Sequence, residues 1–145
     1  MAYPPPPVGN YEPYVRHGEL VAISGISSAR DGQLITGKVG RDLSFEQGQE
    51  AARRAAENLL GVLIEAAGGN EAAIQKVLIV RGQVNASEDF GQVHKVIDAA
   101  SDLLIERLGD KGRHARTAIG CSTLPNNNAV TLEALAIVGH SVGQL

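Results

Sequence analysis

The sequence predicts an α+β fold in which two helices cover one face of a mixed β-sheet. Two segments carry apolar residues at helical spacing, and the strand-like segments around them give the order strand, strand, helix, strand, helix, strand, strand. The last strand is substantially apolar on both of its faces. Because two helices cover only one face of a sheet, the other face needs a further cover, which self-association would provide.

The length and composition of the chain restrict its class. At 145 residues we expect one domain, 1–145, with a proline-rich lead-in over 1–10 and a tail over 139–145. The net charge is −3, and the aromatic residues are three Tyr and two Phe with no Trp. Both features argue against nucleic-acid binding. No segment resembles a secretory signal or a membrane span, so we expect a cytoplasmic protein without a membrane partner.

The first half of the chain predicts a strand pair and a helix. Residues 9–17 and 19–24 are strand-like, and a loop or small hairpin is predicted over 29–40. Ser44 and Gln47 have the spacing of a capping box. The helix that they open carries many alanines on its apolar stripe, so it can lie close to the sheet.

A third strand and a second helix are predicted next. Residues 76–84 are rich in β-branched residues, and strict alternation places Leu78 and Val80 on the same face of a central strand. Ser87 and Asp89 then offer N-caps for a helix with apolar residues at helical spacing.

The last two strands are predicted to form a β-hairpin. Residues 116–123 and 129–138 are strand-like, and a Pro-Asn-Asn-Asn turn links them. Alternation places Thr131 and Glu133 on one face of the final strand.

Arg116, at the start of this hairpin, is the strongest candidate for a functional residue. No carboxylate stands near it in sequence to neutralise its charge. A guanidinium stays charged and offers a planar fork of donors that fits a carboxylate, so a half-buried one predicts an anionic ligand. His114 is close enough in sequence to contribute to the same site. The alternative is a structural role for Arg116, as a surface residue or in a salt bridge to Glu133.

Several short motifs follow one another along the chain with compatible spacing. They are Gly9-Asn10-Tyr11, Ser24-Gly25, Asn58 with Glu65-Ala66-Ala67-Gly68, Asp89-Phe90 with Val93, Ala115-Arg116-Thr117, and Leu124-Pro125 with Leu132-Glu133-Ala134. In this order they resemble the YjgF/Rid family of small trimeric proteins over most of the chain. The longer connection around 110–112 and the Ala/Gly-rich first helix look like a distinct branch of that family.

The resemblance implies a chorismate-mutase-like fold, with the sheets of three subunits forming a central barrel and ligand clefts between subunits. The implied reaction is hydrolytic deamination of a small 2-imino or 2-enamino carboxylate to a 2-keto acid and ammonia, with Arg116 holding the carboxylate. Five further residues match positions that line the family's cleft: Tyr11, Ser24, Gly25, His94 and Ala118.

One departure from the family pattern leaves the activity open. Thr131 stands where many active members carry a glutamate that orients the hydrolytic water, and a hydroxyl is a poor general base. The alternative function is therefore a non-catalytic or regulatory trimer that binds a small carboxylate. Glu133 could face either the cleft or the inner face of the sheet, and His94 could be a solvated helix residue. The family's older endoribonuclease label is disfavoured by the charge and the low aromatic content.

No metal or cofactor is predicted. The four histidines form no H-x-x-x-H or Cys/His cluster, and the glycines form no nucleotide-binding pattern. His17 and His140 read as surface positions. Cys121 lies in an apolar strand and is predicted to be a small core residue.

Overall fold

The computed structural model describes residues 4–139, in which two helices pack on one face of a five-stranded sheet. The α+β class and the order of the elements are confirmed. The predicted tail beyond Gly139, His140 and the first three residues of the lead-in lie outside the described residues. In chain order the elements are β1 (Tyr14–His17), β2 (Leu20–Ile26), α1 (Phe45–Ala66), β3 (Ile74–Asn85), α2 (Val93–Leu108), β4 (Ala115–Cys121) and β5 (Val130–Val138).

The sheet has the strand order β1-β2-β5-β3-β4. β3 pairs in parallel with β4 and antiparallel with β5, so it separates the last two strands of the chain. The predicted hairpin of these two strands is therefore wrong. The β3-α2-β4 segment is a parallel crossover that places β4 at the sheet edge beside β3. The Pro-Asn-Asn-Asn turn then carries the chain past the end of β3 instead of folding β5 back onto β4.

The core lies between the helices and one face of the sheet. α1 packs closely on β5 and β2 because its buried side is formed largely by small residues. Its capping box is present: Gln47 N donates to Ser44 Oγ at 3.1 Å, and Ser44 N donates to Gln47 Oε1 at 2.8 Å. The fully buried alanines of this helix are Ala51, Ala52, Ala55 and Ala56.

α2 begins later than predicted. Its first residue is Val93, and its N-cap, Gln92, forms no side-chain capping bond. Ser87 Oγ donates instead to Asp89 Oδ1 at 3.0 Å, which stabilises the turn before the helix. The predicted caps therefore belong to a turn, because a polar side chain that bonds within a turn competes with helix capping.

A bulge in β3 changes which of its residues face the core. The pairing with β5 shifts register between Val77 and Ile79, so Val77 and Val80 are both buried and Leu78 is 40% exposed. The predicted grouping of Leu78 with Val80 is therefore wrong, since one extra residue in a strand reverses the alternation beyond it.

The side of the sheet that faces away from the helices is called the open face below. In register across all five strands it presents the row Val15, Ala22, Leu135, Ile79 and Ala115. No described residue covers it, and four large apolar side chains on it are exposed: Val15 at 59%, Leu20 at 44%, Leu78 at 40% and Ile119 at 47%. The two-faced apolar character predicted for β5 is thus confirmed.

Two further observations concern the position of Cys121 and the character of the helices. Cys121 is only partly buried and lies on the open face by alternation with Ile119, so its predicted core position is wrong. Neither helix in the described residues is long and apolar enough to cross a membrane.

Candidate functional site

The predicted site residues fall into two groups within one copy of the chain. Tyr11, Ser24, Gly25 and Thr131 line a cavity of about 290 Å³ beside the bulged end of β2, called the β2 pocket below. Arg116 and Ala118 lie on the helix side of β4, and His94 lies on α2 above them. Glu133 belongs to neither group: it lies on the open face, with its Oε1 atom 3.6 Å from Arg81 Nη1.

The β2 pocket is lined by uncharged residues. Its polar groups include the hydroxyls of Ser24 and Thr131 and the side-chain amides of Gln83 and Asn128. The proline-rich lead-in forms part of its wall through residues 5–8. A run of prolines suits such a wall, because proline has a restricted backbone and no N–H group that needs a partner. No sequence motif indicated that the lead-in contributes to a cavity.

The hydroxyls of the pocket are partly engaged by the protein itself. Asn128 Nδ2 donates to Thr131 Oγ1 at 2.7 Å, which leaves the Thr131 hydroxyl hydrogen available to donate elsewhere. Ser24 Oγ donates to the Glu12 carbonyl at 2.6 Å, so Ser24 can offer a ligand only its oxygen lone pairs. Gly25 lies close to Thr131, since a Cβ at Gly25 would be 3.0 Å from Thr131 Cγ2 and would press on that side chain.

Arg116 has a carboxylate partner that the sequence did not reveal. Its Nη1 atom lies 2.7 Å from Asp98 Oδ1 and donates also to Ser101 Oγ at 3.2 Å, while Nη2 donates to the His94 carbonyl at 3.2 Å. No carboxylate stands near Arg116 in sequence, but the folded chain supplies one because α2 lies against β4. The alternative of a salt bridge to Glu133 is wrong, because Glu133 lies beside Arg81 instead.

Part of the Arg116 guanidinium remains open. The side chain is 23% exposed, and its Nε hydrogen and one Nη2 hydrogen find no acceptor among the described residues. Among the described residues, the buried side-chain nitrogen or oxygen that lacks a partner is Arg30 Nε. Arg116 Nε also lacks one, so it is not buried and reaches solvent. The guanidinium can therefore still bind an anionic group that approaches from solvent.

Asp98 and Ser101 were missed as candidate residues. They stand four and seven positions after His94, a spacing that places all three on one side of α2. This spacing is the signal that could have found them once α2 was known to cover β4. His94 itself is exposed, and the contact that it makes with Arg116 is through its main-chain carbonyl.

His114 joins the same group through Ser101. The Nε2 atom of His114 lies 2.9 Å from Ser101 Oγ, and its Nδ1 atom is hydrogen-bonded to the Gly112 carbonyl. Burial lowers the pKa of His114 from its ordinary value of 6.5, and the charges of Arg116 and Lys76 act in the same direction against the carbonyl bond. In the neutral ring Nδ1 donates to the carbonyl, so Nε2 accepts from Ser101.

The lowered pKa of His114 predicts acid sensitivity. As the pH falls through about 6.5, the ordinary value, the unfolded chain binds a proton before the folded chain does, so the free energy of unfolding decreases. Urea unfolding between pH 7.5 and 5.5 should show a smaller decrease in the His114→Gln variant. His17→Gln, at an exposed histidine of β1, is the control for the substitution itself. Equal slopes for wild type and His114→Gln would contradict the assignment.

The described residues contain no group of three or more His, Cys, Asp or Glu side chains placed to hold a metal ion.

Residues 5–138 match the family model described as "YjgF/chorismate mutase-like, putative endoribonuclease". The chain belongs to this family. The YjgF-family chain is 36% identical over 131 residues to Protein TCP17 of Trypanosoma cruzi, covering 89% of this chain and 81% of that protein. The resemblance seen in the sequence motifs is thus confirmed.

Two solved structures are similar to this YjgF-family chain in both sequence and fold. The Agrobacterium tumefaciens protein Atu1372, of unknown function, has a TM-score of 0.88 and 35% identity, with 91% of this chain and 85% of that chain covered. A "putative endoribonuclease" of Shewanella oneidensis has a TM-score of 0.87 and 31% identity, with 91% and 87% covered. These relationships support a role in binding or processing a small molecule.

Proposed function

We propose that this protein forms a homotrimer that binds a small carboxylate metabolite in clefts between subunits, and that it hydrolyses 2-imino or 2-enamino acids there to 2-keto acids and ammonia. The observation that supports this proposal is the separation of the site into two incomplete walls. Arg116 lies on the helix side of the edge strand β4, whereas Thr131 and Gln83 of the β2 pocket point to the open face. A second copy is therefore needed to bring a cation and the pocket to one ligand.

The apolar open face supplies a reason for the copies to associate. Leu135 and Ile79 lie side by side near its centre, with the Arg81–Glu133 pair in the next row and exposed apolar side chains elsewhere on the face. Burying such a surface is favourable by about 25 cal/mol for each Å² of apolar area removed from water. Cyclic symmetry would repeat the same contact around the ring and close it. In this proposal the partners are further copies of the chain and a small carboxylate, without nucleic acid or membrane.

The proposed reaction needs few groups from the protein: one that holds the carboxylate and one that orients the water. The open donors of Arg116 would hold the substrate carboxylate, with Ala118 beside it on the strand. A 2-enamino acid first tautomerises to the imine, as C3 gains a proton and the nitrogen loses one. Water then adds to the C=N carbon while the nitrogen takes up a proton, and the resulting carbinolamine expels ammonia as the carbonyl forms. Thr131 would orient the water through its free hydroxyl hydrogen, and Tyr11, Ser24 and Gly25 would form the wall beside it.

Removal of the guanidinium is the direct test. With a 2-imino acid generated by an amino-acid oxidase, we expect wild type to compete with semicarbazide and lower semicarbazone formation. Arg116→Ala should lose about 100-fold in this activity, since a preorganised donor to a charged group is typically worth that much. Arg113→Ala, three residues earlier at an exposed arginine paired with Asp110, is the control and should behave as wild type. A wild-type rate equal to the rate without enzyme, across several precursors, would refute deamination.

A second candidate function is carboxylate binding without catalysis. It is favoured by the lining of the β2 pocket, which contains no carboxylate, histidine or lysine that could act as a general base near neutral pH. This function predicts that 2-keto acids raise the melting temperature of wild type but not of Arg116→Ala, while no imine turnover occurs.

A further inference from the structure

The Arg116–Asp98 pair combines a partly open cation with a partly open anion. Asp98 uses Oδ1 for the contact with Arg116, and its Oδ2 atom accepts no hydrogen bond from the described residues. The Asp98 side chain is 53% exposed, so this oxygen faces solvent beside the open donors of Arg116. A site of this kind presents two opposite charges to a ligand rather than one.

The presence of Asp98 changes which ligands suit Arg116. A simple carboxylate that approaches the guanidinium also approaches the Asp98 carboxylate, and the repulsion between like charges reduces the gain. An α-amino or protonated α-imino acid avoids this cost, because its positive nitrogen can lie against Asp98 while its carboxylate binds Arg116. In such a ligand a single carbon joins the two charged groups, so they lie close together. The guanidinium of Arg116 and the carboxylate of Asp98 are also in direct contact, so the two pairs of charges have similar spacing.

We propose that Asp98 is a specificity-determining residue that makes the Arg116 site select α-amino and α-imino acids over 2-keto acids. The inference rests on the proposed function, which requires Arg116 to bind the ligand carboxylate, and goes beyond it by naming the residue that recognises the nitrogen. For a deaminase this selection has a chemical use, since the site would hold the nitrogen-bearing substrate and release the 2-keto acid product.

The test compares ligand pairs that differ at the α-carbon. The probes are L-alanine with pyruvate, L-2-aminobutyrate with 2-oxobutyrate, and L-leucine with 4-methyl-2-oxopentanoate, measured by calorimetry. Asp98→Asn keeps an oxygen acceptor for Arg116 but removes the charge. We expect this variant to bind the keto acids about fivefold more tightly and the amino acids about fivefold more weakly, as suits a partly exposed charge.

Matched controls separate this inference from the proposed function. Asp102→Asn removes a charge from the same helix at an exposed residue that forms no ion pair among the described residues, and it should leave every affinity unchanged. If Arg116→Ala abolishes binding while Asp98→Asn leaves the ratio of amino-acid to keto-acid affinity unchanged, the role of Asp98 is refuted and the proposed function stands. If wild type binds none of the six probes, the role of Asp98 is refuted, and the semicarbazide assay decides the proposed function separately. Thermal unfolding of Asp98→Asn checks that the variant is folded.

Discussion

Replacing Gly112 with alanine is expected to lower the free energy of unfolding by about 2–4 kcal/mol, a large effect for one methyl group. A Cβ at Gly112 would lie 2.3 Å from the Leu104 carbonyl oxygen and 2.8 Å from its carbonyl carbon. Both atoms belong to the backbone of α2, so no side-chain rotation can relieve the overlap. The turn at 109–112 would have to move away from the helix. Chemical denaturation at a fixed protein concentration measures the loss.

Gly91→Ala is the matched control for this prediction, because a Cβ there meets no atom within 4 Å. It should change stability by less than about 0.5 kcal/mol. The Gly112 carbonyl also accepts the hydrogen bond from His114, so its displacement should weaken the support of Ser101 and Arg116. A Gly112→Ala variant with wild-type stability would contradict this prediction, because it would show that the turn can move away from α2 at no cost.

The parts of the fold that the sequence predicted are those set by local physics. The α1 capping box depends on two residues three positions apart, and the two faces of β5 depend on strict alternation over nine residues. Such patterns act within one element, so they can be read without knowledge of its neighbours.

The errors arise where distant segments meet. Whether β5 pairs with β4 or with β3 depends on the path of the α2 crossover, which the short turn between β4 and β5 does not encode. The same holds for Arg116, whose partner Asp98 stands eighteen positions earlier and comes into contact only when α2 covers the edge strand. Gly82 on β3 allows α2 to lie this close to the sheet, since a Cβ at that position would lie 2.6 Å from Ile97 Cδ1. The candidate residues on β4, β2 and β5 thus stay predictions, and the sequence could not show that Arg116 has a charged partner.

An aspartate at the centre of the open face is expected to break the proposed trimer. Leu135 lies in register with Ala22 on one side and Ile79 on the other, so its neighbours across the strands are apolar and neither is a cation that could pair with a new carboxylate. Leu135→Asp places an unpaired charge there in every subunit, at a cost of about 3–5 kcal/mol each. Light scattering after size exclusion should show a fall from three chain masses to one. Because Leu135 points away from the helices, circular dichroism should still report a folded chain.

Loss of the assembly should also remove the activity, since Arg116 and the β2 pocket lie on opposite sides of the sheet in one copy. Leu135→Asp should therefore resemble Arg116→Ala in imine hydrolysis even though it leaves the arginine in place. Asn70→Asp, which adds the same charge at an exposed position after α1, should change neither mass nor activity. A Leu135→Asp protein that stays trimeric would place the interface elsewhere than on the open face. A monomeric variant that keeps full activity would show that one copy forms the whole site, against the two-wall arrangement.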